Sequence, residues 1–135
     1  PVYRYRYCHP RPDMVLKDKV AGLAGGVQEK TADTPAAPRA LGAVHSADIE
    51  YVMGTLPTNR VYDWQPEDYT ISDIFSNYYV NFVKTGNPNG LGLIDWPTTN
   101  GKAVAPVLQI DANTFVKEDP NMEKRYEIMD QLFWK

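Results

Sequence analysis

The sequence predicts an α/β chain, and three stretches of its 135 residues carry that expectation. Residues 2–7 (VYRYRY) alternate apolar or aromatic side chains with arginines, the period-two pattern of a strand. Residues 70–86 (TISDIFSNYYVNFVKTG) set apolar side chains at 71, 74, 75, 78, 79, 82 and 83, the spacing of a helix with a broad buried face. Residues 105–111 (APVLQID) and 114–118 (TFVKE) read as a strand and its hairpin partner, with a further helix after them.

Composition sets the outer bounds. The length suits about one domain with a real core. A hydrophobic content of 43% with 12% aromatic residues is that of a globular chain. The 14 basic and 17 acidic residues are mixed and leave a net charge of -3. No basic stripe is present to grip phosphates, so nucleic acid is not an expected partner. No apolar run approaches the ~20 residues that span a bilayer. A single cysteine, Cys8, excludes an internal disulfide and a multi-cysteine zinc site. Cys8 and His9 have no second ligand pair beside them and read as structural.

Each element has its own signals. The first strand opens at Pro1 without a Met, already inside its pattern, and little of the remaining chain offers it a partner. We therefore expect a piece of a longer polypeptide, in which any leader would lie upstream; a secreted or periplasmic location stays open. Residues 8–40 are punctuated by prolines and glycines; DMVLKDKVAGL (13–23) reads as a short helix, and DTPAAPRA (33–40) as a surface loop. Residues 46–53 read as another short helix, with Ser46 as N-cap, Asp48 in the first turn, Ile49, Val52 and Met53 on one face, and Gly54 at the end. For the long helix, Thr70 and Asp73 take a capping-box spacing, Tyr69 and Ile74 the staple positions, and Gly86 a left-handed C-cap before Pro88. Tyr78, Tyr79 and Phe82 read as core. NPNGLGLIDWP is a turn-rich connection. Asp119 and Pro120 have N-cap and N1 chemistry for the last helix, whose stripe is Met122, Tyr126, Met129 and Phe133. There are no internal repeats.

The stretch LGAVHSADIEYVMG, 41–54, holds His45 among Gly42, Ala43, Ser46 and Ala47. Small neighbours leave room for a reactant to approach the ring. By itself this is also what a loop histidine beside a helix start looks like.

In combination these segments resemble the C-terminal part of a type-B carboxylesterase, the cholinesterase-like family of α/β-hydrolases. PVYRYRY is similar to the family's late sheet strand. GAVHSADIEYVMG resembles its catalytic-histidine segment, with Gly-Ala-x-His, an acidic residue three places on, and an aromatic-apolar end. SDIFSNYYVNFVKTGNPNG is similar to its long helix, with Asn81-Phe82, Gly86 and Pro88-Asn89; Trp96-Pro97, the hairpin and the last helix follow in family order. The resemblance covers nearly everything but residues 8–40. It implies one α/β-hydrolase domain of which residues 1–135 are the C-terminal segment: late sheet strand, catalytic-histidine loop, long helix, terminal hairpin and helix.

The resemblance also implies chemistry. A serine carboxylesterase needs a base that takes the serine's proton and returns it to the leaving alcohol. His45 takes that role, and imidazole suits it because it titrates near neutrality. Asp48 matches the acidic position after the histidine and would hold water or loop structure near the site. Glu50 reads as a solvated face residue. Ser46 departs from the family, which often has Gly there, and would narrow the site or cap the short helix. The substrate would be a small-molecule carboxylic ester, with no cofactor and no metal. No Gly-x-Ser-x-Gly elbow occurs in the sequence, so the nucleophile and the triad acid are expected in the upstream part of the same polypeptide. Such a chain would be inactive alone. Two alternatives stand beside this reading: a catalytically inactive cholinesterase-like binding or adhesion domain, and a small α+β binding module using a surface Trp64 or Trp96 to stack on a ligand.

Overall fold

In the computed structural model the described residues are 1–16, 18–21, 27–33, 41–102, 104–118 and 120–134, without the side chains of 21 and 123. Three strands form the main sheet: β1 (Tyr5–Tyr7), β4 (Pro106–Ile110) and β5 (Phe115–Glu118), in the order β1-β4-β5. Between β1 and β4 come a two-stranded ribbon, β2 (Lys19–Ala21) and β3 (Val27–Glu29), a one-turn helix α1 (Ile49–Val52), a 3-10 turn (Leu56–Thr58) and the long helix α2 (Pro66–Thr85). Helix α3 (Met122–Phe133) closes the chain.

The first strand does have a partner, contrary to the sequence-based expectation. β1 runs parallel to β4, with Tyr5 opposite Leu108 and Tyr7 opposite Ile110. The Leu108 N–H donates to Arg4 O at 2.9 Å and the Cys8 N–H to Ile110 O at 2.9 Å. A parallel pair needs a long crossover, so neighbours in the sequence cannot reveal it. β4 also pairs with β5 in an antiparallel hairpin, from Pro106↔Glu118 to Gln109↔Phe115. Flanked on both edges, β4 is buried at all five positions.

The expected helix at 13–23 is likewise replaced by strand structure where it is described. Met14 bridges Tyr62, and β2 pairs antiparallel with β3. Lys19 lies opposite Glu29 and the two form an ion pair. The cross-strand pair and β-branched Val20 suit a ribbon, while Gly22 would weaken a helix. Most of the expected surface loop at 33–40 lies outside the described residues, as does Asp119.

Helix α2 starts four residues before the sequence pattern suggests. Gln65 is its N-cap and Pro66 occupies N1, where a fixed φ and a missing N–H cost nothing. Asp68 at N3 accepts the Gln65 N–H at 2.7 Å, half of a capping box. Gln is not a favoured N-cap type, which is why Thr70 draws the eye instead. In the folded helix the Thr70 hydroxyl donates back to Pro66 O at 3.1 Å. At the other end Gly86 takes φ 73° and its N–H caps Phe82 O at 2.8 Å, as its sequence position predicts. The following string has a steric logic. The Asn81 amide donates to Pro88 O at 3.2 Å, and a Cβ at Gly90 would lie 2.5 Å from that amide nitrogen. Asn89 then holds Trp96 through both backbone groups, at 2.6 and 3.0 Å.

The core lies between α2 and the sheet: Tyr51, Leu56, Ile71, Phe75, Tyr78, Trp96, Leu108 and Ile110. Phe75 meets Tyr5 edge-on at 5.1 Å and stacks on Tyr7 at 5.8 Å between ring centres. Tyr78 is buried as expected, whereas Tyr79 and Phe82 stay partly exposed and Val83 largely so. The α3 stripe, Tyr126, Met129 and Phe133, is exposed. Trp96 is only 5% exposed, with its indole N–H on Arg4 O at 2.9 Å. Trp64 is half-buried and donates to Asn59 O at 2.7 Å. Buried in this way, Trp96 is not the surface stacking platform that a binding module would need.

Two outcomes follow from this core. Phe75→Ala removes a fully buried ring and is expected to cost about 3–5 kcal/mol, read as a lower denaturant midpoint at unchanged slope. The phenols of Tyr5, Tyr7, Tyr51 and Tyr78 are pushed above their ordinary range, in each case chiefly by burial. Raised folded-state values mean that this stabilisation is whole below the unfolded value of about 10 and is lost as pH rises through the folded values. The thermal midpoint should therefore fall above pH about 10, with these phenols ionising in ultraviolet absorbance only as the chain unfolds.

Candidate active site

The His45 segment is a turn tied down on both sides. The Ala47 N–H donates to Val44 O at 3.1 Å, closing a turn around His45 and Ser46. Ser46 has φ 62°, the left-handed region that a turn of type II requires at its third residue. His45 itself is exposed, while Ala47 and Tyr51, one helical turn apart, are fully buried.

Several expectations for this segment need correction. The helix is a single turn, Ile49–Val52, and its N-cap is Asp48 rather than Ser46. Left-handed backbone at Ser46 keeps it outside the helix. Ile49 and Met53 are exposed and Tyr51 is the buried anchor, because the helix rests on α2 through its Tyr51 side. The Ser72 hydroxyl donates to Tyr51 O at 2.8 Å and the Ser76 hydroxyl to Val52 O at 3.0 Å. These are C-terminal carbonyls that a short helix cannot satisfy internally.

Asp48 does not cap the helix with its side chain; it accepts the Tyr5 hydroxyl at 3.0 Å, and Tyr79 donates to the Tyr5 oxygen at 3.3 Å. The turn is thus tied to strand β1. On its other side stands Arg11. Its Nη2 donates to Ser46 O at 3.3 Å and to Glu50 Oε2 at 2.5 Å. Its Nη1 donates to the Tyr62 hydroxyl at 3.1 Å, and the guanidinium carbon lies 5.0 Å from the Tyr62 ring centre. Glu50 is therefore a paired, largely buried carboxylate and not a solvated face residue. It also accepts the Asn59 amide.

Behind α1 a second polar cluster joins three parts of the chain. Asp68, 1% exposed, accepts the Tyr51 hydroxyl at 2.5 Å and His9 Nε2 at 3.1 Å on one oxygen, and the Gln65 N–H on the other. His9 Nδ1 lies 3.0 Å from Asp111 Oδ1. Carboxylate oxygens only accept, so a ring nitrogen bonds its carboxylate only as a donor. His9 is structural, as expected. Cys8 contacts Gln109 Oε1 at 3.4 Å, and burial raises its thiol above the ordinary range.

His45, Ser46 and Asp48 thus share one turn, with Glu50 just after it, and Arg11, Tyr5, Asp68 and His9 support it from elsewhere in the sequence. No spacing links these supports, because they lie on different elements. Among the described residues no group of three His, Cys, Asp or Glu side chains could hold a metal ion, and no helix is long and apolar enough to cross a membrane.

The sequence profile of the carboxylesterase family matches residues 1–134. This chain belongs to that family. It is 30% identical to carboxylesterase 4A of Bos taurus over 135 residues, all of this chain and 19% of that protein. Bile salt-activated lipase of Homo sapiens is 42% identical over 55 residues, 41% of this chain and 7% of the lipase. Among solved structures, a thermophilic pNB esterase superposes with a TM-score of 0.63 at 22% identity, covering 95% of this chain and 22% of that one. The likeness extends to the fold of an esterase from Clostridium hathewayi, at a TM-score of 0.60 and 17% identity over 96% of this chain and 21% of that one. The family chain therefore spans about a fifth of the length of these full-coverage relatives.

The Asp68 cluster sets a measurable expectation. Asp68→Ala would strand the Tyr51 hydroxyl, the Gln65 N–H and one side of His9, at a cost of about 3–5 kcal/mol. Chemical denaturation reads this directly, and a loss under about 1 kcal/mol would mean that the cluster does not hold the segment together.

Proposed function

We propose that this chain is the C-terminal segment of a single serine-carboxylesterase domain and that His45 is the general base and acid of its triad. The observation that carries the reading is an exposed histidine on a turn whose following residues are fixed to strand β1, to α2 and to Arg11. Exposure lets the ring meet a nucleophile and a substrate; fixation keeps it where proton transfer needs it. Membership of the carboxylesterase family supports the chemistry.

In this reading the serine and the triad acid belong to the upstream part of the same polypeptide. His45 takes the hydroxyl proton as the serine oxygen attacks the ester carbonyl. It returns that proton to the departing alcohol, leaving an acyl-serine. It then takes a proton from the water that cleaves the acyl bond and gives it back to the serine. Asp48 orients the turn through Tyr5. The substrate is a small carboxylic ester, and these steps use no cofactor.

His45→Ala in the complete esterase is expected to lower kcat/KM on a p-nitrophenyl ester by about 10⁴–10⁶ at an unchanged melting temperature. A variant that kept a tenth of the original turnover would remove His45 from the mechanism. His9→Ala, by contrast, should lower the melting temperature without abolishing turnover.

A further inference from the structure

We propose that Arg11 is a positioning residue for His45, its guanidinium holding the left-handed turn at Ser46 that presents the imidazole. The inference rests on the general-base role proposed for His45. Among the described residues Ser46 is the only non-glycine with positive φ. Its Cβ makes that conformation unfavourable, and such a backbone persists only where its surroundings enforce it. Within the segment, Ser46 O has one long contact, the Ile49 N–H at 3.4 Å. The other hold on that carbonyl comes from 35 residues upstream, Arg11 Nη2 at 3.3 Å.

The guanidinium is itself fixed before it reaches the turn. Glu50 binds Nη2 at 2.5 Å, and the Asn59 amide occupies the other Glu50 oxygen. The Tyr62 hydroxyl takes Nη1, with the ring beneath the guanidinium. A planar fork of fixed donors can serve Glu50, Tyr62 and the Ser46 carbonyl together; a lysine ammonium is a compact charge and cannot reproduce that pattern. Arg11 touches no reacting atom in this arrangement. It sets the direction of the Ser46–Ala47 peptide, one residue beyond His45, and through the Ser46 backbone the ring.

Strain at Ser46 makes the idea testable beyond a simple loss of stability. In the complete esterase, Arg11→Met should lower kcat about 10²-fold and Arg11→Lys about tenfold, with KM within about threefold of the parent, because a small misplacement of a catalytic group acts on the chemical step. Glycine adopts the left-handed turn freely, so in a Ser46→Gly background the Arg11→Met loss should shrink to about threefold, a coupling that a double-mutant cycle isolates. Equal losses in the two backgrounds, a kcat within about twofold of the parent, or a rise in KM alone would overturn the proposal. If Arg11→Met fails to fold, Arg11→Lys in both backgrounds decides it by the same criteria. His45→Ala measured alongside separates the two readings. If His45→Ala abolishes turnover while Arg11 variants do not lower kcat, only the positioning role falls; if His45→Ala stays active, the general-base reading falls and takes this one with it.

Discussion

The structure depends on one buried carboxylate. Asp68 is at N3 of α2, 1% exposed, where a lone charge would be costly. It is tolerated because both oxygens are filled by donors from different places: the Gln65 N–H from its own helix, the Tyr51 hydroxyl from α1, and His9 from the end of β1. The helix N-terminus adds a favourable field for the negative charge. His9 carries the connection on to Asp111, at the end of β4. A single side chain thereby fixes the relative placement of the elements on which the His45 turn rests.

From that junction α2 acts as a column. Its serines satisfy the carbonyls that end α1, and Phe75 sits under the tyrosines of β1. A four-residue helix has no stability of its own, since nucleation outweighs the few bonds it makes. The geometry around His45 is therefore imposed by tertiary contacts on a segment that would not hold it alone. The alternating β1 aromatics do two jobs. Tyr5 and Tyr7 pack on Phe75, while the Tyr5 hydroxyl reaches Asp48.

The polar residues near His45 divide between anchoring and orientation. Asp48 and Glu50, two residues apart, are drawn to opposite supports, the first to Tyr5 and the second to Arg11. This pulls the start of α1 taut between strand β1 and the segment after it. The exposed His45 precedes that span by three residues. Apolar surface on α2 around Val83 and on α3 around Phe133 is left open in a chain that spans about a fifth of its full-coverage relatives.

The sequence by itself determined the strong local features. The α2 pattern, the Gly86 stop, the 105–118 hairpin and the alternation at 2–7 are all periodicities or caps, set by neighbours within a few residues. His45 stands out in the sequence as a candidate by its small flanks and by the string around it. Tertiary structure decided what periodicity cannot encode. The parallel pairing of β1 with β4 joins residues about a hundred positions apart, so no local pattern announces it. The early start of α2 depends on Asp68 being buried and bonded, which an unpreferred N-cap residue hides. Ser46 looked like a cap and became a left-handed turn, because Ala47 and Tyr51 had to reach the core. Glu50 looked solvated and became a partner for Arg11, because a charged side chain's environment is set by what folds against it, and Arg11 arrives from 39 residues away.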